Sequence, residues 1–80
     1  SPNPFNPSVE FTVHLAQALP EARFYVCDVN GKVVADLVRG PMDAGVTVLP
    51  WKARGLAAGA YVAVLRTPNS MHCRRLCLAR

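Results

Sequence analysis

Residues 23–38 read Arg-Phe-Tyr-Val-Cys-Asp-Val-Asn-Gly-Lys-Val-Val-Ala-Asp-Leu-Val, and the fold follows from how this stretch is read. Phe24 and Val26 alternate with Arg23 and Tyr25, the two-residue period of a strand with one apolar face. Asn30-Gly31 then interrupts the run with a pair whose backbone tolerates φ > 0, the signature of a two-residue hairpin turn. Asp28, just before that pair, is placed to cap the turn through its carboxylate. From Lys32 to Val38 the chain is rich in β-branched residues, so a second strand begins at Lys32. Arg39-Gly40-Pro41 ends it, because Pro cannot donate to a ladder and Gly supplies a turn. The stretch is therefore an antiparallel hairpin.

The same pattern extends in both directions. Upstream, Val9, Phe11, Val13 and Leu15 fall on one face, while Glu10, Thr12, His14 and Ala16 fall on the other. Leu15 to Ala22 contains good helix formers, but Pro20 interrupts a segment too short to stand alone as a helix, so a loop is expected. Downstream, Val46 to Lys52 follows Asp43-Ala44-Gly45 as a strand, with Pro50 marking an edge or a bulge just before Trp51. Ala53 to Gly59 is a small-residue connection. Ala60 to Thr67 carries the run Tyr61-Val62-Ala63-Val64-Leu65, and Pro68-Asn69-Ser70 turns the chain into a last strand from His72 to Ala79. Six strands separated by regular turn signals, with no helical period, predict an all-β chain built as a sandwich or barrel of antiparallel strands.

Length confines this to one domain spanning residues 1–80, since 80 residues sit near the lower end of the domain range. Folding at this size hides only about 60–65% of the surface of the unfolded chain, so stability depends on dense apolar patterning, cross-links or a neighbour. Hydrophobic residues make up 51% and charged residues 18%, which excludes an intrinsically disordered segment. Every apolar run is broken well short of the ~18 residues a membrane-spanning helix needs. Pro2, Pro4 and Pro7 strip backbone donors from residues 1–8, which favours a stiff extended entry segment. Ser1 opens the chain without the marks of a signal peptide, as a segment excised from a longer protein would.

The net charge of +4 is a modest bias towards acidic or phosphate-bearing surfaces, though such a balance speaks first to solubility and nonspecific attraction. Arg74, Arg75 and Arg80 gather near the end without interleaved aromatic rings, which argues against nucleic acid as a partner. Cys27, Cys73 and Cys77 are an odd number and form no disulfide framework. On one strand Cys73 and Cys77 lie ~13 Å apart, beyond bridging reach, whereas Cys27 could meet either if the last strand ran beside the second.

Candidate chemistry is sparse. His72-Cys73 with Cys77 has a metal-like spacing, yet adjacent strand residues point to opposite faces and tetrahedral closure fails. Ser8 or Ser70 would need His14 or His72 and an orienting acid, which nothing in the sequence brings together. Asp28, Asp36 and Asp43 lie in separate elements and lack the dense ligand spacing of a calcium loop. No catalytic, metal or cofactor residues are assigned, and the chain is expected not to be an enzyme. Trp51 is expected in the core or at its rim, where ring burial contributes most, with a sugar platform shared with Tyr61 as the alternative.

Pro2-Asn3-Pro4-Phe5-Asn6-Pro7-Ser8 resembles the opening signature of the C-terminal sorting domains carried by type IX secretion cargo proteins, and of the related immunoglobulin-like domain of the flagellar hook-capping protein. Asp28-Val29-Asn30-Gly31-Lys32-Val33-Val34 resembles the family's hairpin, Leu37 with Gly40 and Ala44-Gly45 its next turn, and Trp51 its tryptophan. Gly55-Leu56-Ala57-Ala58-Gly59-Ala60-Tyr61 is similar to its small-residue loop and Tyr-headed strand. Arg74-Arg75-Leu76-Cys77-Leu78 is similar to its basic-then-apolar final strand. Cys27 and Cys77 depart from the aromatic and aliphatic residues usual there.

The resemblance implies an immunoglobulin-like antiparallel β-sandwich of six to seven strands that serves as a delivery signal. It would be read by an outer-membrane secretion translocon and then, as often in that family, removed by a sortase-like protease, placing the protein outside the cell or on its surface by way of the periplasm and outer membrane. A structural module of a surface or hook-cap-like assembly, self-associating through strand edges, is the first alternative, and a carbohydrate-binding module the second. Under the leading reading Phe5 buries as a clamp on the entry segment, and alternation turns Leu76 and Leu78 inward and Cys77 outward.

Overall fold

The structure, a computed structural model, describes residues 8–78 of the chain, so Pro2, Asn3, Pro4, Phe5, Asn6 and Pro7, and with them the expected Phe5 clamp, lie outside the described residues. Six strands follow in chain order: β1 (Ser8–Leu15), β2 (Leu19–Asp28), β3 (Val33–Met42), β4 (Gly45–Lys52), β5 (Gly59–Arg66) and β6 (Met71–Leu78). They form two antiparallel sheets, β1-β4 and β3-β2-β5-β6. The all-β, antiparallel expectation holds.

Alternation decides which faces meet. In the two-stranded sheet Val9 lies opposite Trp51, Phe11 opposite Leu49 and Val13 opposite Thr47, so these residues share one face. Glu10, Thr12, His14, Val46, Val48 and Pro50 take the other face and are exposed. The inward residues meet the larger sheet in two clusters. One gathers Val13 with Ala22, Phe24, Met42 and Ala63, and the other gathers Trp51 with Val26, Ala53, Tyr61 and Leu78. Phe11 links them, its ring 5.2 Å from that of Phe24 and 6.1 Å from that of Trp51. Side chains of both sheets thus interdigitate in one apolar layer, consistent with a β-sandwich. The shortest dimension of the molecule, 16 Å, suits two sheets packed ~10 Å apart.

Three local expectations need correction. Leu15 to Ala22 is not all loop, because β2 begins at Leu19 and runs through Pro20. Pro20 is tolerated because the β5 partnership of β2 covers only Arg23 to Asp28, and a register shift separates Leu19 from Ala22. Likewise Gly40-Pro41 does not end β3, which continues to Met42 along the edge of its sheet, where a missing donor disturbs no interior ladder.

The hairpin turn spans three residues, Val29 to Gly31, and β3 starts at Val33 rather than Lys32. Gly31 donates to the Asp28 carbonyl at 3.0 Å and Asp28 donates to the Lys32 carbonyl at 2.9 Å. No non-glycine residue has positive φ among the described residues, so Asn30 does not adopt the left-handed conformation that a two-residue type I′ turn requires. Gly31 alone does, at φ +86°. This is the turn-plus-bulge form of a three-residue loop. The expected cap is present: Asp28 Oδ1 accepts from the backbone N–H groups of Asn30 and Lys32, both at 2.9 Å.

Candidate functional site

Strand β6 carries the basic-then-apolar motif and forms one edge of the larger sheet. Its register against β5 sorts its side chains. His72, Arg74, Leu76 and Leu78 lie opposite Leu65, Ala63, Tyr61 and Gly59 on the core side, while Cys73, Arg75 and Cys77 lie on the outer side. Leu78 is buried and Leu76 packs against both core clusters, while Cys77 is exposed, as alternation predicts. His72 and Arg74 share the inward orientation of the two leucines yet are exposed.

Strands lie ~4.8 Å apart, so two strands cannot cover four and part of the larger sheet's inner face is left open. Along β6 the cover reaches only the second half, where Leu78 meets Trp51 and Ala53, and leaves His72 and Arg74 beside open space. A groove of about 890 Å³ opens there between the edge of β1 and the inner side of β6, with Phe11, Val13, Phe24 and Leu65 along its base and His72 and Arg74 at its rim. Among the described residues no strand pairs with the second edge of β1, so its unpaired N–H and C=O groups face this groove. Arg74 and Arg75 form no ion pair among the described residues. The arrangement suits docking of an extended segment: main-chain groups for pairing, an apolar base for alternate side chains, and a guanidinium at the rim.

The remaining motif residues serve the frame. Asp28 and Gly31 close the β2–β3 turn, and Gly59 opens β5. Trp51 and Tyr61 are 7% and 6% exposed, so neither ring offers the face a sugar platform requires. The Tyr61 hydroxyl donates to the Ala57 carbonyl at 2.7 Å, tying the β4–β5 connection to the head of β5. Cys27, Cys73 and Cys77 are unbridged. Because β5 separates β2 from β6, Cys27 lies two strand spacings, ~9.6 Å, from β6, beyond the ~7 Å limit for a bridge. The pairing left open by the sequence cannot form within one chain.

Sequence reasoning missed the pairing of Arg23 with Asp36. Arg23 Nε donates to Asp36 Oδ1 at 2.9 Å, and the Arg23 guanidinium lies 4.4 Å from the Tyr25 ring centre. The hydrogen bond from Arg23, aided by the charges of Arg23 and Arg39, holds the Asp36 carboxyl below its ordinary range despite some desolvation. The same bond raises Arg23. The signal for this pair is hidden because a bulge in β3 sets the register. Comparison with protein-family models, with curated proteins and with solved structures finds no match to this chain.

Proposed function

We propose that this chain is a non-catalytic sorting domain of an exported bacterial protein, of immunoglobulin-like sandwich type. In this reading the type IX outer-membrane machinery recognises it through β6 and the adjoining groove, and a sortase-like protease then removes it, leaving the cargo secreted or on the cell surface. The observation that carries the reading is the exposure of His72 and Arg74 at inward-facing positions of an edge strand. Exposed positions take polar residues on solvation grounds alone; what favours a partner is that these two stand at the rim of an apolar groove beside the open edge of β1. The immunoglobulin-like topology draws support from the chain's repeated crossing between sheets and from the Tyr61 hydroxyl bound to backbone four residues upstream.

A structural module is the second reading, favoured by Val46 and Val48. They stand on the outward face of β4, 60% and 51% exposed, where a neighbouring copy could cover them. Fusion of residues 1–80 to a reporter in a host with type IX secretion separates the two. The sorting reading predicts reporter outside the outer membrane. A fusion that is folded yet retained in the periplasm would replace it with the structural module.

A further inference from the structure

The outer face of the larger sheet carries a second feature, at the opposite side from the groove. Register places Arg23 directly across from Arg39 on β3 and directly across from Arg66 on β5. Three guanidinium side chains therefore stand side by side on three neighbouring strands, on one face. Like charges directly opposite in a ladder destabilise a sheet. Folding alone gives no reason for the row.

The compensation within the chain is partial. Asp36 is shared between Arg23, at 2.9 Å, and Arg39, at 3.7 Å. Arg66 forms no ion pair among the described residues. Glu21 also borders the site, so three guanidiniums face two carboxylates, one of them already engaged twice. Beside the row lies a concavity of about 580 Å³ bordered by Arg23, Arg39 and Arg66 and by the small residues Ala22 and Gly40. Beyond its own chain neighbours, nothing lies within 4 Å of the place a Gly40 Cβ would take, so a ligand can approach the backbone there. Arg23 is held in place by its bonds to Asp36 and its seat over Tyr25, which lowers the ordering cost of binding.

From this juxtaposition we infer that the Arg39–Arg23–Arg66 row binds a phosphate-type oxyanion, with Arg66 and Arg39 closing on it from either side of the fixed Arg23. Planar guanidinium forks match the oxygens of such a group in bidentate geometry. The depression is open to solvent, so a diphosphate or a phosphate ester can enter it as readily as a single phosphate. Met71 lies next in the row, opposite Arg66, and is 59% exposed, so a lipid phosphate at a membrane surface presents the same chemistry as a soluble ester. This inference is independent of the sorting role.

The test is titration of the ¹⁵N-labelled domain with inorganic pyrophosphate, observing the arginine side-chain and Arg66 backbone signals by NMR. Saturable shifts at Arg23, Arg39 and Arg66 are expected. Arg66→Gln should weaken binding by about tenfold or more, while Arg54→Gln, in the β4–β5 connection, should leave it unchanged. Thermal melting gives a second readout. Without ligand Arg66→Gln should melt no lower than the parent, since a repulsive neighbour has been removed, and pyrophosphate should raise the melting temperature of the parent more than that of the variant. Phosphatidylglycerol vesicles distinguish the sources: Arg66-dependent co-sedimentation marks a lipid phosphate, and its absence with pyrophosphate binding intact marks a soluble ester. Non-saturable shifts, equal weakening by Arg54→Gln, or a ligand-free Arg66→Gln domain that melts markedly lower would overturn the site.

Discussion

The two halves of β6 present the same face of the same strand to the same core, and they end differently. Leu76 and Leu78 are drawn into the layer between the sheets, beside Tyr61 and Trp51, whereas His72 and Arg74 emerge at the rim of a groove. Orientation in a strand is set by the two-residue period, but burial is set by what lies opposite. The smaller sheet covers one half and not the other. The closed half should carry stability and the open half recognition.

The largest effect should fall at the closed end. Trp51→Ala removes a ring that is 7% exposed and stacked near Phe11. Its loss should cost about 3–5 kcal/mol in denaturant melts, a large share of the roughly 4–12 kcal/mol that ~80 residues sustain. A cost below about 1 kcal/mol would mean the closed half is not a packed core.

Within β6 itself, Leu78→Ala should cost about 2–5 kcal/mol. Arg74→Ala should change stability by no more than about 0.5 kcal/mol. Equal losses at the two positions would erase the distinction between the halves.

Tyr61→Phe sharpens the closed half further by keeping the ring and deleting only the bond to the Ala57 carbonyl. A loss of about 1 kcal/mol is expected, and amide exchange in the β4–β5 connection should quicken. No change in either would mean the hydroxyl does not hold that connection.

The smallest effect concerns the exposed sheet face, away from both halves. Hydrogen bonding from Arg23 lowers the folded Asp36 value, so its contribution to stability is complete above the ordinary aspartate range and is lost as pH falls through the folded value. NMR titration should place Asp36 below a typical aspartate, and Arg23→Gln should move it back up. An Asp36 midpoint indifferent to that substitution would remove the ion pair from the account.

Where the backbone is regular, the sequence was enough to read the fold. In β1 the series Val9, Phe11, Val13 and Leu15 turns inward against exposed Glu10, Thr12 and His14, because no bulge breaks its ladder with β4. In β3 the period fails. Register shifts against β2 leave Val34 and Leu37 without direct partners, so Val34 and Ala35, then Leu37 and Val38, sit half-buried in adjacent pairs. Asp36 and Arg39, three apart, thereby join one face and form an ion pair, which strict alternation would forbid. Gly40-Pro41 and Pro20 read as breakers because their rule assumes neighbours on both sides, which neither site has. The groove was legible only in part. Arg74, Leu76 and Leu78 were legible on one strand, but the partner edge of β1 and the rim position of His72 depend on how far one sheet covers another, and no local pattern records that.

The most direct measurement compares export of reporter fusions carrying the parent domain and an Arg74→Glu domain in a host with type IX secretion, after melting shows that both are equally folded. The parent fusion should reach the cell exterior and the charge-reversed fusion should remain behind. Export of both to the same extent would contradict the claim that the uncovered half of β6 is where this domain is recognised.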